Sequence, residues 1–324
     1  MTGTDPSRPD TIAKAFLATA RANPDLPALR WKEGDEWQEW SFATYEDLVA
    51  RAAAGLLAEG VEHGDRVVLM LRNTPHFHVL DIAALMIGAV PISIYNSSAP
   101  DQIEYLVNHS GAVVGIVEDD SFLARFAPVR ASLTSLRSLG VIKPGSEAFD
   151  FTWDDLVARD GIDLDEAAAA TTPEDLATVI YTSGTTGPPK GVMTTNGSVM
   201  FVADTLRELI EFDDFTGKRL VSYLPMAHIA ERAVSHYQQA VLGYTVTCCP
   251  NPGEIAAYCG AVQPHVLFGV PRVWEKLYAG VMAAVNANPE QAEKFNEAVE
   301  AARPLALKKS WGTLTEEEAA TLDF

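Results

Sequence analysis

Residues 178–193 read TVIYTSGTTGPPKGVM, a stretch that begins like a buried strand and continues as a loop of small residues. The segment Ala177 to Tyr181 is apolar and rich in β-branched side chains, which is typical of a buried strand. The next six residues, Thr182 to Gly187, are all glycine or hydroxylated, so the backbone can approach a ligand closely and offer N–H and O–H donors. Lys190 follows two prolines and adds one compact positive charge. The pattern predicts a loop that binds a polyphosphate.

Two other interpretations of this loop fit less well. A run of Ser, Thr, Gly and Pro is often only a surface turn. A simple surface turn does not explain why this run follows a buried strand and is followed by one lysine and then apolar residues. An ordinary P-loop, G-x-x-x-x-G-K-[ST], places the lysine directly after the second glycine, whereas two prolines separate Gly187 from Lys190. Gly191 also stands where that motif needs Ser or Thr. The stretch therefore predicts a phosphate loop of another design.

The composition is that of a globular protein with a strongly acidic balance. The chain has 324 residues, of which 48% are hydrophobic, enough for one large domain or two lobes. Its formal net charge of −20 argues against a nucleic-acid partner and against tight binding to an anionic membrane. The amino terminus lacks a signal-peptide pattern, and the most apolar stretch, residues 82–94, is too short to span a bilayer. We therefore expect a cytoplasmic protein without a transmembrane segment.

Strand-like and helix-like segments alternate along the chain with short connections. The strand-like segments are residues 27–31, 36–42, 66–70, 90–94, 112–117, 138–142, 177–181, 220–225, 244–249 and 266–271. The helix-like segments include residues 11–22, 75–87, 100–109, 121–126, 153–159 and 197–209, and one that Thr44 and Asp47 would cap. This alternation predicts an α/β fold with mainly parallel sheets flanked by helices.

The chain is predicted to form two α/β lobes. Residues 160–172 are acidic, rich in alanine and without periodicity, so we place the boundary there and assign residues 1–170 to a first lobe. Residues 171–324 then form a second lobe that contains the phosphate loop. Thr172, with Pro173 and Asp175 after it, predicts a helix start just before the strand that leads into the loop.

Three motifs resemble those of a known family. YTSGTTGPPKGV, residues 181–192, resembles the signature loop of the adenylate-forming superfamily, which includes acyl-CoA synthetases, luciferases and peptide-synthetase adenylation domains. YLPMAHIAER, residues 223–232, is similar to the Y-L-P-L-A-H-x-x-E-R of long-chain fatty acyl-CoA synthetases, and VPRVWEK, residues 270–276, to their V-P-R-V-x-E-K. The motifs keep the family's order, and a string as long as the first is far more specific than a short glycine motif. The resemblance implies the amino-terminal domain of the adenylate-forming fold.

The resemblance also implies a reaction in two steps. A carboxylate attacks the α-phosphorus of ATP, which gives an acyl-adenylate and pyrophosphate, and coenzyme A then displaces AMP to form a thioester. Lys190 would neutralise the β- and γ-phosphates, Thr182 would be a ligand of Mg²⁺, and His228 would lie at the acyl and α-phosphate end of the pocket. The residues that would hold these phosphates are Thr182, Ser183, Gly184, Thr185, Thr186 and Gly187. The implied partners are ATP, Mg²⁺, coenzyme A and a fatty acid or other carboxylic acid.

Several neighbouring residues also have a structural interpretation. Glu231 and Arg232 are explained by a structural ion pair as well as by a role at the site. Arg232 stands four residues after the histidine, where some bacterial long-chain members carry an aromatic gate. Trp274 and Tyr278 lie at helical spacing and are predicted to be core residues. The histidines outside the motifs show no metal-ligand spacing and are predicted to be structural: His76, His78 and His109.

Parts of the family pattern are not found after Arg272. These are the aromatic-Gly-x-Thr/Ser-Glu stretch, the T-G-D aspartate, the hinge and the small carboxy-terminal domain with its lysine. The resemblance therefore implies the amino-terminal part of an ATP-dependent acyl-CoA ligase, and we expect this chain alone to be inactive or nearly so. Two alternatives stay open: a non-catalytic module that binds nucleotide or acyl chains, and a ligase that stops at the acyl-adenylate or activates aromatic acids.

Overall fold

The computed structural model describes residues 8–182, 187–209 and 214–322, and the chain divides into two compact units, Met1–Leu267 and Phe268–Phe324. The strands of the larger unit are β1 (Pro27–Glu33), β2 (Glu36–Ser41), β3 (Arg66–Met70), β4 (Val90–Ser93), β5 (Val114–Asp119), β6 (Ser138–Lys143), β7 (Phe151–Thr152), β8 (Leu176–Thr182), β9 (Lys190–Thr195), β10 (Arg219–Ser222) and β11 (Thr245–Cys248). Its helices are α1 (Ile12–Ala22), α2 (Phe42–Ala58), α3 (Pro75–Met86), α4 (Pro100–Ser110), α5 (Asp120–Phe126), α6 (Trp153–Val157), α7 (Leu164–Ala169), α8 (Asn196–Leu209), α9 (Ile229–Glu231), α10 (Gln238–Leu242) and α11 (Ile255–Val262).

One sheet of the larger unit is entirely parallel. Its five strands lie in the order β4-β3-β5-β6-β7, and β3 pairs with both β4 and β5. Every residue of β4 is buried, as is most of β3, β5 and β6, so these strands carry continuous apolar runs rather than an alternating pattern. Such runs are expected where helices cover both faces of a parallel sheet.

A second sheet has four strands in the order β10-β11-β1-β2. β11 is parallel to β10 and to β1, whereas β1 and β2 form an antiparallel hairpin. Gly34 has a φ of +61° in the turn of that hairpin, a conformation that favours glycine. Residues before and after position 170 thus share one sheet, and the assignment of two lobes at that position stays a prediction.

The third sheet is the hairpin that carries the phosphate loop. β8 and β9 pair in antiparallel fashion, and Thr182 lies opposite Lys190 at the end of the ladder. Leu176 lies opposite Thr195 at the other end, after which α8 begins at Asn196. The hairpin register therefore brings the first residue of the predicted loop and its lysine side by side.

Two predicted helix starts are wrong. Thr172 forms a turn instead of a helix start, because its amide donates to the Asp175 side chain and β8 begins directly afterwards. Thr44 is not the cap of α2: the helix begins at Phe42, and the Ser41 hydroxyl accepts from the Thr44 amide. Ser41 is also a favourable cap residue, so the sequence offered two candidates three positions apart.

Two other segments also differ from the prediction. Residues 266–271 do not form a strand, since only Val266 makes a bridge, to Leu220 of β10. The predicted boundary without periodicity, residues 160–172, contains α7, which the Asp163 side chain caps.

The smaller unit consists of helices within its described residues. They are α12 (Pro271–Asn286), α13 (Pro289–Ser310) and α14 (Glu316–Leu322). Trp274 and Tyr278 lie on α12 with exposed fractions of 47% and 68%, so the prediction that they are core residues is wrong. No helix in the described part of the chain is long and apolar enough to cross a membrane.

Candidate functional site

A cleft of about 580 Å³ lies beside the end of the β8–β9 hairpin. The hairpin contributes Thr182 and Pro189, α4 contributes Tyr105 and other residues, and the segment after β10 contributes His228. One cavity therefore brings together two predicted site residues that are far apart in the sequence. They are Thr182, at the start of the predicted phosphate loop, and His228, the histidine of the second motif. Their roles in binding and catalysis stay predictions.

The predicted phosphate-binding residues are described in part. Thr182 is the exposed last residue of β8 and lines the cleft, whereas Lys190 is exposed at the start of β9 and is not among the lining residues. Gly187 has a φ of +96°, which only glycine adopts readily, so its place in the motif has a conformational reason. The other predicted residues of the loop lie outside the described residues: Ser183, Gly184, Thr185 and Thr186.

Gly191 is required by close packing inside the hairpin. A Cβ atom at this position would lie 2.8 Å from Cγ1 of Val179 and 3.4 Å from the ring of Tyr181. The β9 backbone therefore passes directly over two side chains of β8 next to the loop. This explains the glycine after Lys190, where an ordinary P-loop has a hydroxyl side chain.

His228 presents a hydrogen-bond donor at the cleft. It caps α9, and its Nδ1 accepts from the amide of Ala230 at 3.2 Å. In the neutral ring, an accepting Nδ1 requires that the proton sits on Nε2. Because His228 is exposed and lines the cleft, this Nε2–H could donate to an anionic oxygen there.

A buried carboxylate holds the turn that leads to His228. Glu231 is 2% exposed, and its Oε1 accepts from the Ser222 hydroxyl at 2.8 Å and from the Tyr223 amide at 3.2 Å. Asn73 donates to the Ser222 hydroxyl at 2.8 Å and to the Leu224 carbonyl at 2.9 Å. Burial raises the pKa of the Glu231 carboxyl to about 7, because desolvation outweighs the hydrogen bonds that favour the charged form.

Arg232 is held away from Glu231 by other partners. Its guanidinium is fully buried and donates to Asp81 in an ion pair, to the Ser93 hydroxyl at 2.8 Å and to the Tyr237 hydroxyl at 2.7 Å. His236 lies 2.9 Å from the same Asp81 carboxylate. The structure thus shows an Asp81–Arg232 ion pair where the sequence suggested one between Glu231 and Arg232.

Arg232 is also fixed in place. Moving the guanidinium into the cleft, as a gate would move, would leave the Asp81 carboxylate buried with its cationic partner removed, which is costly. The segment Arg232–Tyr237 forms a π-helical turn, an irregularity that is frequent near functional sites. Sequence reasoning missed Asp81, although a carboxylate in the middle of the apolar helix α3 is a sign of a buried partner.

Comparison with known proteins identifies the family. The family model described as AMP-binding enzyme matches residues 16–314, so the chain belongs to this family. The long-chain-fatty-acid–CoA ligase FadD15 of Mycobacterium bovis is 31% identical over 273 residues, which cover 83% of this chain and 45% of that protein. The long-chain-fatty-acid–CoA ligase ACSBG2 of Xenopus laevis is 29% identical over 283 residues, which cover 83% and 38%. The chain spans less than half the length of these curated relatives.

Solved structures share the fold. An anthranilate CoA ligase, AuaEII, in complex with anthranoyl-AMP has a TM-score of 0.73 at 18% identity, covering 82% of this chain and 50% of that one. The inhibitor-bound amino-terminal domain of FACL13 from Mycobacterium tuberculosis has a TM-score of 0.72 at 24% identity, covering 87% and 66%. The predicted α/β fold with mainly parallel sheets, and its assignment to the amino-terminal domain of adenylate-forming enzymes, are confirmed.

Proposed function

We propose that the chain is part of an ATP-dependent long-chain fatty acid–CoA ligase. Such an enzyme joins a carboxylate to AMP with release of pyrophosphate and then transfers the acyl group to coenzyme A. The observation that carries the proposal is the meeting of Thr182 and His228 at one cleft, in a family member similar to long-chain-fatty-acid–CoA ligases. The first residue of the phosphate loop and a hydrogen-bond donor then face the same substrates.

The hairpin would serve the adenylation step by binding the leaving group. Negative charge increases on the pyrophosphate as the bond to the α-phosphorus breaks, so fixed donors and a cation near it lower the barrier. Thr182 through Gly187 would donate to the β- and γ-phosphates, with Lys190 as the cation. The pairing of Thr182 with Lys190 supports this assignment, because it places the lysine at the mouth of the loop.

The residues present fit a magnesium ion that is bound mainly through the nucleotide. Within the described residues, no cluster of three or more His, Cys, Asp or Glu side chains could hold a metal. Thr182 offers an exposed hydroxyl beside the cleft. Magnesium at a nucleotide takes few protein oxygens and keeps phosphate and water ligands, so one hydroxyl is sufficient. When bound, the ion would supply positive charge to the phosphates.

The other residues that line the cleft would orient the fatty acid. His228 would donate from Nε2 to an oxygen of the carboxylate or of the α-phosphate, which holds the attacking oxygen close to phosphorus. Leu106, Ile180 and Ile229 give the cleft apolar wall surface, which suits an acyl chain. The buried Glu231 and Asn73 would keep the histidine in position by fixing the turn before it.

The loop assignment is tested by titrating MgATP into the purified chain by calorimetry. We expect saturable binding that weakens by about tenfold or more in Lys190→Ala, since a charge-assisted bond to phosphate is lost. Lys14→Ala is the matched control: it removes a lysine that pairs with Asp10 on the surface and does not line the cleft. Equal affinity in wild type and Lys190→Ala would contradict the role of the lysine.

The type of activity is tested by acid-dependent ATP–pyrophosphate exchange with a panel of carboxylic acids. Exchange with long-chain acids that requires Lys190 would support the ligase directly, although we expect little or none from this chain alone. Exchange that prefers aromatic acids would favour the aryl-acid alternative. MgATP binding without any exchange, together with failure to bind an acyl-adenylate mimic, would favour a binding module and contradict the ligase.

A further inference from the structure

α4 contacts both ends of the phosphate loop through two side chains one helical turn apart. The Tyr105 hydroxyl donates to the Pro189 carbonyl at 2.9 Å. The Tyr181 hydroxyl lies 2.9 Å from Nδ1 of His109. Tyr181 directly precedes Thr182, and Pro189 directly precedes Lys190. One helix therefore holds the chain on the entry side and on the exit side of the loop.

The aromatic rings of these residues pack as one group. Tyr105 and His109 are four positions apart on α4, a spacing that places side chains on the same face of a helix. Their rings stack with centroids 5.2 Å apart, and the His109 ring meets Tyr181 edge-on at 5.7 Å. The three rings therefore contact one another beside the two hydrogen bonds.

The carbonyl is the only backbone hydrogen-bonding group that Pro189 offers at the loop exit. Pro188 and Pro189 have no N–H groups, so neither can donate to a strand ladder. The β8–β9 ladder accordingly ends at the pair of Thr182 and Lys190. The hydrogen bond from Tyr105 fixes the next residue, Pro189, which has no N–H group to donate to the hairpin.

We propose that Tyr105 and His109 are positioning residues for the nucleotide: they anchor the end of the β8–β9 hairpin on α4, beside the last ladder pair, and so hold Thr182 and Lys190 in place before ATP binds. This inference rests on the proposed function of the loop. Ordering the ends of a ligand-binding loop costs conformational entropy if it happens only when the ligand binds. Fixing its ends in advance reduces that loss and strengthens binding without a new contact to the nucleotide.

Tyr105→Phe isolates the hydrogen bond, because it keeps the ring and its stacking on His109. We expect the Kd of MgATP to rise about three- to tenfold, as for the loss of one hydrogen bond. Tyr181→Phe removes the hydroxyl that His109 contacts and should weaken MgATP binding by a similar factor. Both tyrosines line the cleft, but both variants keep the aromatic rings and remove only hydroxyls that contact Pro189 or His109. The affinity for a long-chain fatty acid and the midpoint of thermal unfolding should therefore change little, which separates positioning of the loop from general stability.

Tyr258→Phe is the matched control. Tyr258 packs its ring against Trp37, with centroids 5.6 Å apart, and does not line the cleft. The control should leave MgATP binding unchanged. If Tyr105→Phe weakens MgATP and fatty acid binding equally, or weakens neither, the positioning role is contradicted.

Hydrogen–deuterium exchange of the ligand-free chain tests the same inference without ATP. In Tyr105→Phe, a peptide covering residues 187–193 should exchange faster than in wild type, whereas Tyr258→Phe should not change it. If wild type fails to bind MgATP, the proposed function fails, and the exchange result still decides whether the contact holds the loop. Unchanged exchange would overturn the inference, as would faster exchange with unchanged MgATP affinity.

Discussion

The Glu231 carboxyl combines burial with several hydrogen-bond donors. The Ser222 hydroxyl and the Tyr223 amide both donate to it, which suits a charged carboxylate. Desolvation nevertheless dominates and raises its pKa from 4.5 to about 7. A group whose pKa is raised on folding contributes stability below its unfolded pKa and loses that contribution as the pH rises through its folded pKa. The contribution of Glu231 is therefore lost between about pH 4.5 and pH 7.

We expect Glu231→Gln to change the pH dependence of stability. Glutamine has the same shape and an acceptor oxygen but does not titrate. The contributions of all other titrating groups therefore cancel when the pH dependence of the free energy of unfolding is compared between the two proteins. The free energy of unfolding of wild type, relative to the variant, should fall by up to about 3 kcal/mol between pH 5 and pH 8. Denaturant unfolding of both proteins across this range measures the difference. A difference that stays constant with pH, or rises, would contradict the raised pKa.

The ion pair between Asp81 and Arg232 could not be predicted from the sequence. Asp81 lies within an apolar, fully covered part of α3, where a carboxylate is costly unless it is paired. That position predicts the need for a partner but not its identity, because Arg232 is 151 residues away in the chain. The sequence instead suggested the adjacent Glu231 as the partner of Arg232. In the fold, Arg232 pairs with Asp81 and Glu231 accepts from Ser222.

At the scale of elements, the β8–β9 hairpin depends on the absence of a side chain at Gly191. We expect Gly191→Ala to destabilise the protein by about 1–3 kcal/mol, since the new Cβ would overlap Val179 in a packed hairpin. Gly260→Ala is the matched control: this residue lies within α11 with open space around its Cα, and alanine there should stabilise by roughly 0.5–1 kcal/mol.

Chemical denaturation of the two glycine variants measures both changes. The sign is the decisive result, because the same substitution is expected to act in opposite directions at the two positions. A Gly191→Ala variant as stable as wild type would show that the hairpin can open to admit a methyl group. The close approach of β9 to β8 would then not explain the glycine.

Most elements were predictable because their sequence patterns agree with their surroundings. The buried strand β3 and the helix α3, with Pro75 at its first position, were found within a residue or two. The failures lie where the local pattern has two outcomes. Thr172, Pro173 and Asp175 suit a helix start and also a turn, and the strand that begins at Leu176 leaves room only for the turn.

At the scale of the whole molecule, the site is assembled by long-range contacts. The sequence motifs predicted that Thr182, Lys190 and His228 act on one substrate pair, and the fold brings Thr182 and His228 to a common cleft. The motifs did not predict Tyr105, since a tyrosine on an amphipathic helix carries no signal for the loop it contacts. Side chains that support a site from another element are therefore the part that motif reading misses.

The overall charge of the chain bears on the proposed binding of ATP. With a formal net charge of −20, this chain would repel the anionic nucleotide of the proposed function. Attraction must come from local donors and from the single lysine at the loop. Lys190 and the positions of the loop ends would therefore contribute much of the proposed affinity for ATP.

The most direct test of the central claim is calorimetric binding of palmitoyl-sulfamoyl adenosine, a stable mimic of a long-chain acyl-adenylate. We expect it to bind wild type more tightly than the salicyl analogue, and His228→Ala to weaken its binding about tenfold through the loss of one hydrogen bond to a charged group. Lys190→Ala should leave its affinity nearly unchanged, because the mimic has no β- or γ-phosphate. Tighter binding of the salicyl analogue, or full binding by His228→Ala, would contradict the assignment of the cleft to a long-chain acyl-adenylate.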